Sequence, residues 1–342
     1  MLCVLTLLLA AAGSLGDDTD GGVAFRIPLN DGNAMPALGF GTFLGLDENG
    51  MRPPGEHEAE YPVRWALEAG YRLLDTAVTY QTEGQVGRAW RASGIPREHV
   101  FVVTKLSTSE SRNVVASLRG SLARLNMSYV DLYLIHSTIS IKPDHSGFDI
   151  IDYLDTWRGM EEVKRLGLAR SIGISNFNVS QIQRLMAHCE IKPSVLQVEV
   201  NLNLAQNKLV DYCKSQDIVV MAFSPFGSLF SRDPPPRPPA PRANDPILVG
   251  MANKYNKTTP QIVLRYLVQR GLVPIPKSLN RLRIQQNIQI FDFQLTDEEM
   301  HTLSEFNRDY RIFFPTFWQD HPYYPFERVD RPGPSLFKGQ GY

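Results

Sequence analysis

Only 3 cysteines occur in the 342 residues of this chain, no long basic run is present, and the formal net charge is −1. So few thiols exclude a scaffold built on disulfides. The balanced charge excludes the phosphate-neutralising surface that nucleic-acid binding requires. No metal-ligating set is expected, and the one pronounced apolar run, Leu2–Ala12, is too short to span a bilayer comfortably. What is present is ordinary globular material: 43% apolar and 21% charged residues, enough for a packed core and unlike a disordered or fibrous chain.

The first sixteen residues, MLCVLTLLLAAAGSLG, turn from apolar to small, with Ser14 and Gly16 spaced as a cleavage site. They predict a signal peptide over 1–16, a mature single domain over 17–342, secretion, and no membrane span after removal. The alternative is a short membrane anchor, since only the amino terminus supplies positive charge to this segment. Cleavage after Gly16 removes Cys3 and leaves Cys189 and Cys213, which could form at most one bridge. Sequons at Asn126, Asn178 and Asn256 would make the secreted product a glycoprotein wherever they lie on the surface. The C-terminal Gly-Gln-Gly-Tyr shows no lumenal retention signal.

From residue 36 onward, short β-branched runs alternate with longer amphipathic stretches, the pattern of βα units around a parallel sheet. The expected strands are Gly39–Thr42, Arg72–Thr76, Phe101–Lys105, Asp131–His136, Ser171–Ile174, Leu196–Asn201, Ile218–Phe223 and Val273–Ile275. Helices are expected at Glu58–Gly70, Asn113–Leu125, Leu154–Arg165, Gln206–Ser215 and Pro260–Arg270. Eight such strands predict an α/β fold, a closed (β/α)₈ barrel of the TIM type. An open doubly wound sheet is the runner-up, but Gly39-Phe-Gly41-Thr-Phe-Leu-Gly45 is one residue too long for a dinucleotide fingerprint and does not open a helix directly. Val23–Leu29 and Met35–Leu38, joined at Asp31-Gly32, read as an N-terminal β-hairpin suited to plug one barrel end. Asp233–Pro246 is too proline-rich for a helix or central strand and reads as a surface loop, and the segment beyond Phe306 reads as an ordered C-terminal tail.

The reactive side chains of a (β/α)₈ enzyme come from the C-terminal ends of the strands and the loops that follow. Asp75 ends the second expected strand, Tyr80 lies in the next loop, Lys105 ends the third strand and His136 the fourth. Singly each has a structural explanation: a turn cap, an interfacial aromatic, a surface lysine, a hydrogen-bonded core histidine. Together, converging on one barrel mouth after apolar runs, they suggest a site, because burying such groups costs desolvation unless they are paired.

Asp75, Tyr80, Lys105 and His136 resemble the catalytic tetrad of the aldo-keto reductase family. The segments Gly70-Tyr-Arg-Leu-Leu-Asp-Thr-Ala77, Tyr80-Gln-Thr-Glu-Gly-Gln-Val-Gly87, Asp131-Leu-Tyr-Leu-Ile-His136, Ile172-Gly-Ile-Ser-Asn-Phe177 and Ile275-Pro-Lys-Ser278 resemble family signatures, and the likeness spans roughly residues 24–326. The resemblance implies that Tyr80 is the general acid, that Lys105 lowers its pKa, that Asp75 holds Lys105, and that His136 orients a substrate carbonyl. It also implies NADPH as hydride donor. Ser175, Asn176 and Gln197 would hold the carboxamide, with Phe223 stacked on the ring where a tyrosine is usual. Lys277, Ser278 and Arg283 would clamp the 2′-phosphate. Asn287 would meet the adenine with Gln286 in place of a usual Glu, and Thr42, Phe43, Ser224, Phe226 and Ser228 complete the expected cofactor contacts.

Three positions depart from the aldose-reductase pattern: Phe43, Ser107 and Ser137 stand where that branch has tryptophans. A wider pocket is expected, with Phe313 and its neighbours Phe314, Phe317 and Trp318 as an apolar lid. Among secreted relatives this is similar to 3-dehydroecdysone 3β-reductases, implying reduction of a bulky steroid-type ketone by a monomer. The alternatives are a broad-specificity aldehyde or aldose reductase and a non-catalytic NADP-binding barrel.

Overall fold

Apolar residues in the barrel strands alternate between two cores. In Phe101–Leu106, Val102 and Leu106 pack beneath the helices, whereas Phe101 and Val103 join a separate interior cluster with Leu73, Leu132, Leu134, Val195, Met221 and Val273. This is the two-residue period of a strand buried on both faces. The computed structural model describes residues 21–47, 50–231 and 238–330. The expected signal peptide with its Gly16 cleavage site, Cys3, the start of the proline-rich loop and the end of the tail lie outside the described residues.

Strands β1 (Arg26–Pro28) and β2 (Ala34–Pro36) pair antiparallel, with Ile27 opposite Met35. The barrel begins at β3 (Phe40–Gly41), followed by the small antiparallel pair β4 (Leu46–Asp47) and β5 (Gly50–Met51), then α1 (Glu60–Glu68) and β6 (Leu73–Asp75). Next come α2 (Glu83–Ser93), β7 (Phe101–Leu106), α3 (Val114–Leu125), β8 (Val130–Ile135), α4 (Tyr153–Arg165) and β9 (Ala169–Ser175). The second half holds α5 (Val179–Met186), β10 (Val195–Glu199), α6 (Asn207–Ser215), β11 (Val219–Phe223), α7 (Pro246–Tyr255), α8 (Thr259–Gln269) and β12 (Val273–Pro274). Two further helices, α9 (Arg281–Ile288) and α10 (Asp297–Ser304), precede the tail.

Strand β3 and strands β6 to β12 lie parallel, neighbours in chain order. The ring closes between first and last, where the Gly39 and Gly41 amides donate to the Pro274 and Pro276 carbonyls at 3.0 Å each. This is the expected (β/α)₈ barrel, with strand ends moved by one or two residues. The expected hairpin is also present: Leu29 and Met35 belong to the interior cluster, and Asn30 Nδ2 donates to the Pro193 carbonyl at 3.0 Å, so it covers the end opposite the strand C-termini.

Helices α2, α5, α7, α9 and α10 were not anticipated from the sequence. Helix α2 carries Gly84 and Gly87, α5, α9 and α10 have 8 residues each, and α7 starts inside the proline-rich segment. There the loop reading needs correction. Pro246 is the first residue of α7, where its missing N–H is not needed, and Asp245 caps the helix by accepting from the Ile247 amide. The aromatic lid is corrected as well. Trp318 packs with Ile139, Ile141 and Tyr324 in a satellite core, and of the four proposed rings only Phe313 faces the central cavity.

Helices α2 and α3 approach closely at Gly87, where a Cβ would collide with the Leu125 carbonyl. Neither backbone can yield, so Gly87→Ala is expected to cost about 1–3 kcal/mol or more. A lowered urea midpoint at unchanged slope checks this; an unshifted midpoint would show that the contact is loose.

Candidate active site

The inward parity that builds the barrel core also delivers the polar groups. Continuing each strand by two residues from its interior apolar side chains takes Leu73 to Asp75, Val103 to Lys105, Leu134 to His136, Val195 to Gln197 and Met221 to Phe223. Asp75, Lys105, His136 and Phe223 lie at or next to C-terminal strand ends and Gln197 midway along β10, and their side chains meet at one mouth.

At the floor, Lys105 Nζ donates to Asp75 Oδ1 at 2.8 Å and to the Thr76 carbonyl at 2.9 Å, and Lys105 is fully buried. The second Asp75 oxygen accepts from Gln197 Nε2 at 2.7 Å. Burial works against the Lys105 charge, but Asp75 and Tyr80 outweigh it and hold the ammonium above its usual pKa. The ammonium lies 4.8 Å from the Tyr80 ring centroid, and Tyr80 Oη is 3.4 Å from His136 Nε2. Burial pushes His136 down to about 3, with Lys105 adding to the effect, so the imidazole is neutral. Thr79 Oγ1 lies 3.5 Å from its Nδ1.

Burial raises the Tyr80 pKa and is the largest effect; Lys105 pulls it down, as expected, but the phenol stands above its ordinary value. Tyr80 therefore rests as a neutral O–H, the form that can donate a proton.

Above the floor is a cavity of about 320 Å³. Phe43, Asp75, Tyr80, His136, Ser175, Asn176, Gln197, Phe223, Ser224, Phe226, Lys277 and Phe313 all line it, as anticipated. Phe43 packs against Tyr80 with centroids 5.1 Å apart, and Phe313 meets Phe223 edge-on at 5.7 Å. Other anticipated residues lie outside this wall. Thr42 is buried behind it, its hydroxyl on the Asp75 carbonyl at 2.9 Å, and Ser228 turns away to Asn203 Oδ1 at 2.7 Å. Ser278 borders Lys277 just before α9, Arg283 is exposed on the first turn of that helix, and Gln286 and Asn287 follow on it. Ser107 and Ser137 are absent from the lining: Ser107 Oγ meets Ser109 Oγ at 3.0 Å, and Ser137 Oγ accepts from the Ile139 amide at 3.3 Å.

Asn176 tests whether these residues suit a nicotinamide. Its backbone is left-handed, with φ 58°, and its Nδ2 donates to the His136 carbonyl at 3.0 Å. Its buried Oδ1 has no hydrogen-bond partner among the described residues. A buried acceptor left unpaired is costly, and a carboxamide N–H would satisfy it. The groups present fit the cofactor.

Sequence reading missed Ile312, which lines the cavity, and Glu199, one further inward step along β10 from Gln197. Glu199 lies two residues beyond Gln197 on the same strand face, and that parity was the available signal for it. Ile312 had none, because the tail has no periodic pattern.

The profile of the aldo/keto reductase family matches residues 37–308. The chain is 49% identical over 305 residues to the aldo-keto reductase AKR2E4 of Bombyx mori, covering 87% of this chain and 97% of that one. It is 41% identical over 324 residues to human aldo-keto reductase family 1 member C4, covering 88% and 97%. The crystal structure of Bombyx mori AKR2E4 in complex with NADP superposes with a TM-score of 0.83 at 47% identity, covering 89% of this chain and 99% of that one. That of aldo-keto reductase AKR2E5 complexed with NADPH gives 0.87 at 40%, covering 92% and 97%.

The depressed His136 pKa sets a pH dependence. The imidazole is ordinary in the unfolded chain, near 6.5, and about 3 when folded. Its contribution to stability is thus complete above 6.5 and is lost as pH falls from there toward 3. Thermal melts from pH 7 to 4 should show a steeper fall in Tm for the native protein than for His136→Gln. Parallel slopes would contradict the burial of His136 as a neutral group.

Proposed function

The chain belongs to the aldo/keto reductase family, and from that premise we propose that its NADPH-dependent carbonyl reduction acts on a bulky steroid-type ketone such as 3-dehydroecdysone. That it is an NADP-dependent oxidoreductase follows from the family match and from the NADP and NADPH complexes of its structural relatives. NADPH, when bound, supplies the hydride to the carbonyl carbon.

The roles we assign to the chain's own groups are those the family resemblance implies, and the floor geometry supports them, with the buried Lys105–Asp75 pair at 2.8 Å under a neutral phenol. Tyr80 donates its hydroxyl proton to the carbonyl oxygen. Lys105 stabilises the phenolate left behind, and Asp75 keeps the ammonium in place. Neutral His136 orients the carbonyl oxygen beside Tyr80 through Nε2–H, the tautomer in which Nδ1 is left to face the Thr79 hydroxyl at 3.5 Å. Ser175, Asn176 and Gln197 would hold the carboxamide of the bound cofactor, with Phe223 offering a ring to the nicotinamide. Lys277, Ser278 and Arg283 would take the 2′-phosphate; burial lowers the Lys277 pKa, an effect that a bound phosphate would oppose.

The preference for a bulky ketone is supported by the apolar walls of the cavity, Phe43, Phe223, Ile312 and Phe313. NADPH consumption should show a higher kcat/KM for a polycyclic ketone than for an aromatic aldehyde or an aldose. A preference for the aldehydes would make it a broad reductase, and no turnover at all a binding barrel. Tyr80→Phe should keep NADPH affinity and lose activity by orders of magnitude; retention of more than about a tenth would remove Tyr80 from the role of acid.

We further propose that the protein is a secreted, monomeric glycoprotein. No helix among the described residues is long and apolar enough to cross a membrane. Asn126 and Asn256 are exposed at helix C-termini, whereas Asn178 caps α5 and donates to the Pro325 carbonyl at 3.3 Å. Expressed in secreting insect cells, the protein should appear in the medium and lose mass with a glycosidase, and the double variant Asn126→Gln, Asn256→Gln should show no such loss. Retention in the cells without glycan would refute this.

A further inference from the structure

Glu199 is fully buried at the C-terminal end of β10, with no cation within salt-bridge distance among the described residues, and its role is not explained by the chemistry above. Its carboxylate accepts from the Phe313 amide at 2.7 Å and from the Ile312 amide at 3.0 and 3.2 Å. Asn201 Nδ2 donates to it from the following turn at 3.1 Å. Burial raises the carboxyl pKa, and the bonds from Phe313 and Ile312 oppose that rise.

The amides that Glu199 holds belong to the two tail residues whose side chains form the outer wall of the substrate cavity. The turn after β10 extends the grip: the Asn203 carbonyl accepts from the Arg308 and Tyr310 amides at 3.1 and 3.0 Å. The tail between 308 and 313 is thus strung along one barrel turn by its backbone. Ile312 and Phe313 remain 46% and 36% exposed, so apolar packing alone does not fix them.

We propose that Glu199 is a positioning residue that sets the substrate range, its carboxylate fixing Ile312 and Phe313 as the apolar wall against which a bulky carbonyl substrate packs. A small aldehyde reaches Tyr80 and His136 without touching that wall, so it does not depend on Glu199. The inference rests on the reading of the cavity as a site for bulky ketones.

Glu199→Ala removes every acceptor, Glu199→Gln keeps one oxygen, and Phe313→Ala removes the wall while leaving the anchor. With a polycyclic ketone, Glu199→Ala should raise KM about tenfold, and Phe313→Ala should match it, with little further loss in the double variant. For Glu199→Ala, kcat/KM on glyceraldehyde should stay within about twofold and NADPH affinity should be unchanged. Glu199→Gln should recover most of the ketone KM while speeding hydrogen exchange at the Ile312 and Phe313 amides. Equal losses on both substrates, additive effects in the double variant, or unchanged exchange in Glu199→Gln would overturn the proposal. Should Glu199→Ala fail to fold, the Gln variant and Phe313→Ala still decide it. A wild-type protein that ignores polycyclic ketones sinks the substrate reading alone, since the exchange measurement tests the anchor separately.

Discussion

The site depends on an ion pair that water does not reach. A lysine with no exposed surface at the base of an open cavity is tolerable only because Asp75 meets it at 2.8 Å and the Thr76 carbonyl accepts a second N–H. The effective cost of burying each ion is several kcal/mol, and the pair is retained only with such complete bonding. Gln197 ties the remaining Asp75 oxygen to the strand that also carries Glu199. Removal of either charge would leave the other stranded, so the electrostatics of Tyr80 and the integrity of the barrel floor are coupled.

That pair works through a balance of two opposing effects on the phenol. Burial favours the neutral form, and the ammonium favours the phenolate. In the resting site burial wins, leaving a proton to donate, while the nearby charge stabilises what remains once the proton has gone. His136 is subject to the same two influences, but for a base both act in one direction and hold it neutral. One buried cation thus keeps its two neighbours in complementary states, a hydroxyl donor and an uncharged imidazole.

The barrel separates what must be rigid from what sets selectivity. The floor residues stand on paired strands whose register is fixed by hydrogen bonding, with Asp75 opposite Gly41 on one side and Val103 on the other. The outer wall comes from a tail without regular structure, held by backbone bonds to the turn after β10. The same turn reaches the loop after β11, since the Asn203 side chain accepts from Ser228 and donates to the Ala240 carbonyl at 2.5 Å. The loop after β11 and the tail, which both line the cavity, share one support.

Much of this was legible in the amino-acid sequence. The alternation of short apolar runs with amphipathic stretches located all eight barrel strands and, at their ends, Asp75, Lys105 and His136, whereas Gln197 and Phe223 came from the family resemblance. Short helices such as α5 and α9 escaped, since their stability comes from packing rather than from propensity. The sequence placed Lys105 near Tyr80 and gave the direction in which that charge acts, but could not weigh it against burial, a property of the assembled site. Nor could it distinguish Phe313, which faces the cavity, from Trp318, which packs in a satellite core, or reveal that Ser107 and Ser137 bond locally outside the lining. Local chemistry and period are written in the chain, whereas net pKa, the course of an aperiodic tail and the membership of a cavity wall depend on which distant segments come to lie together, and only the folded barrel decided those.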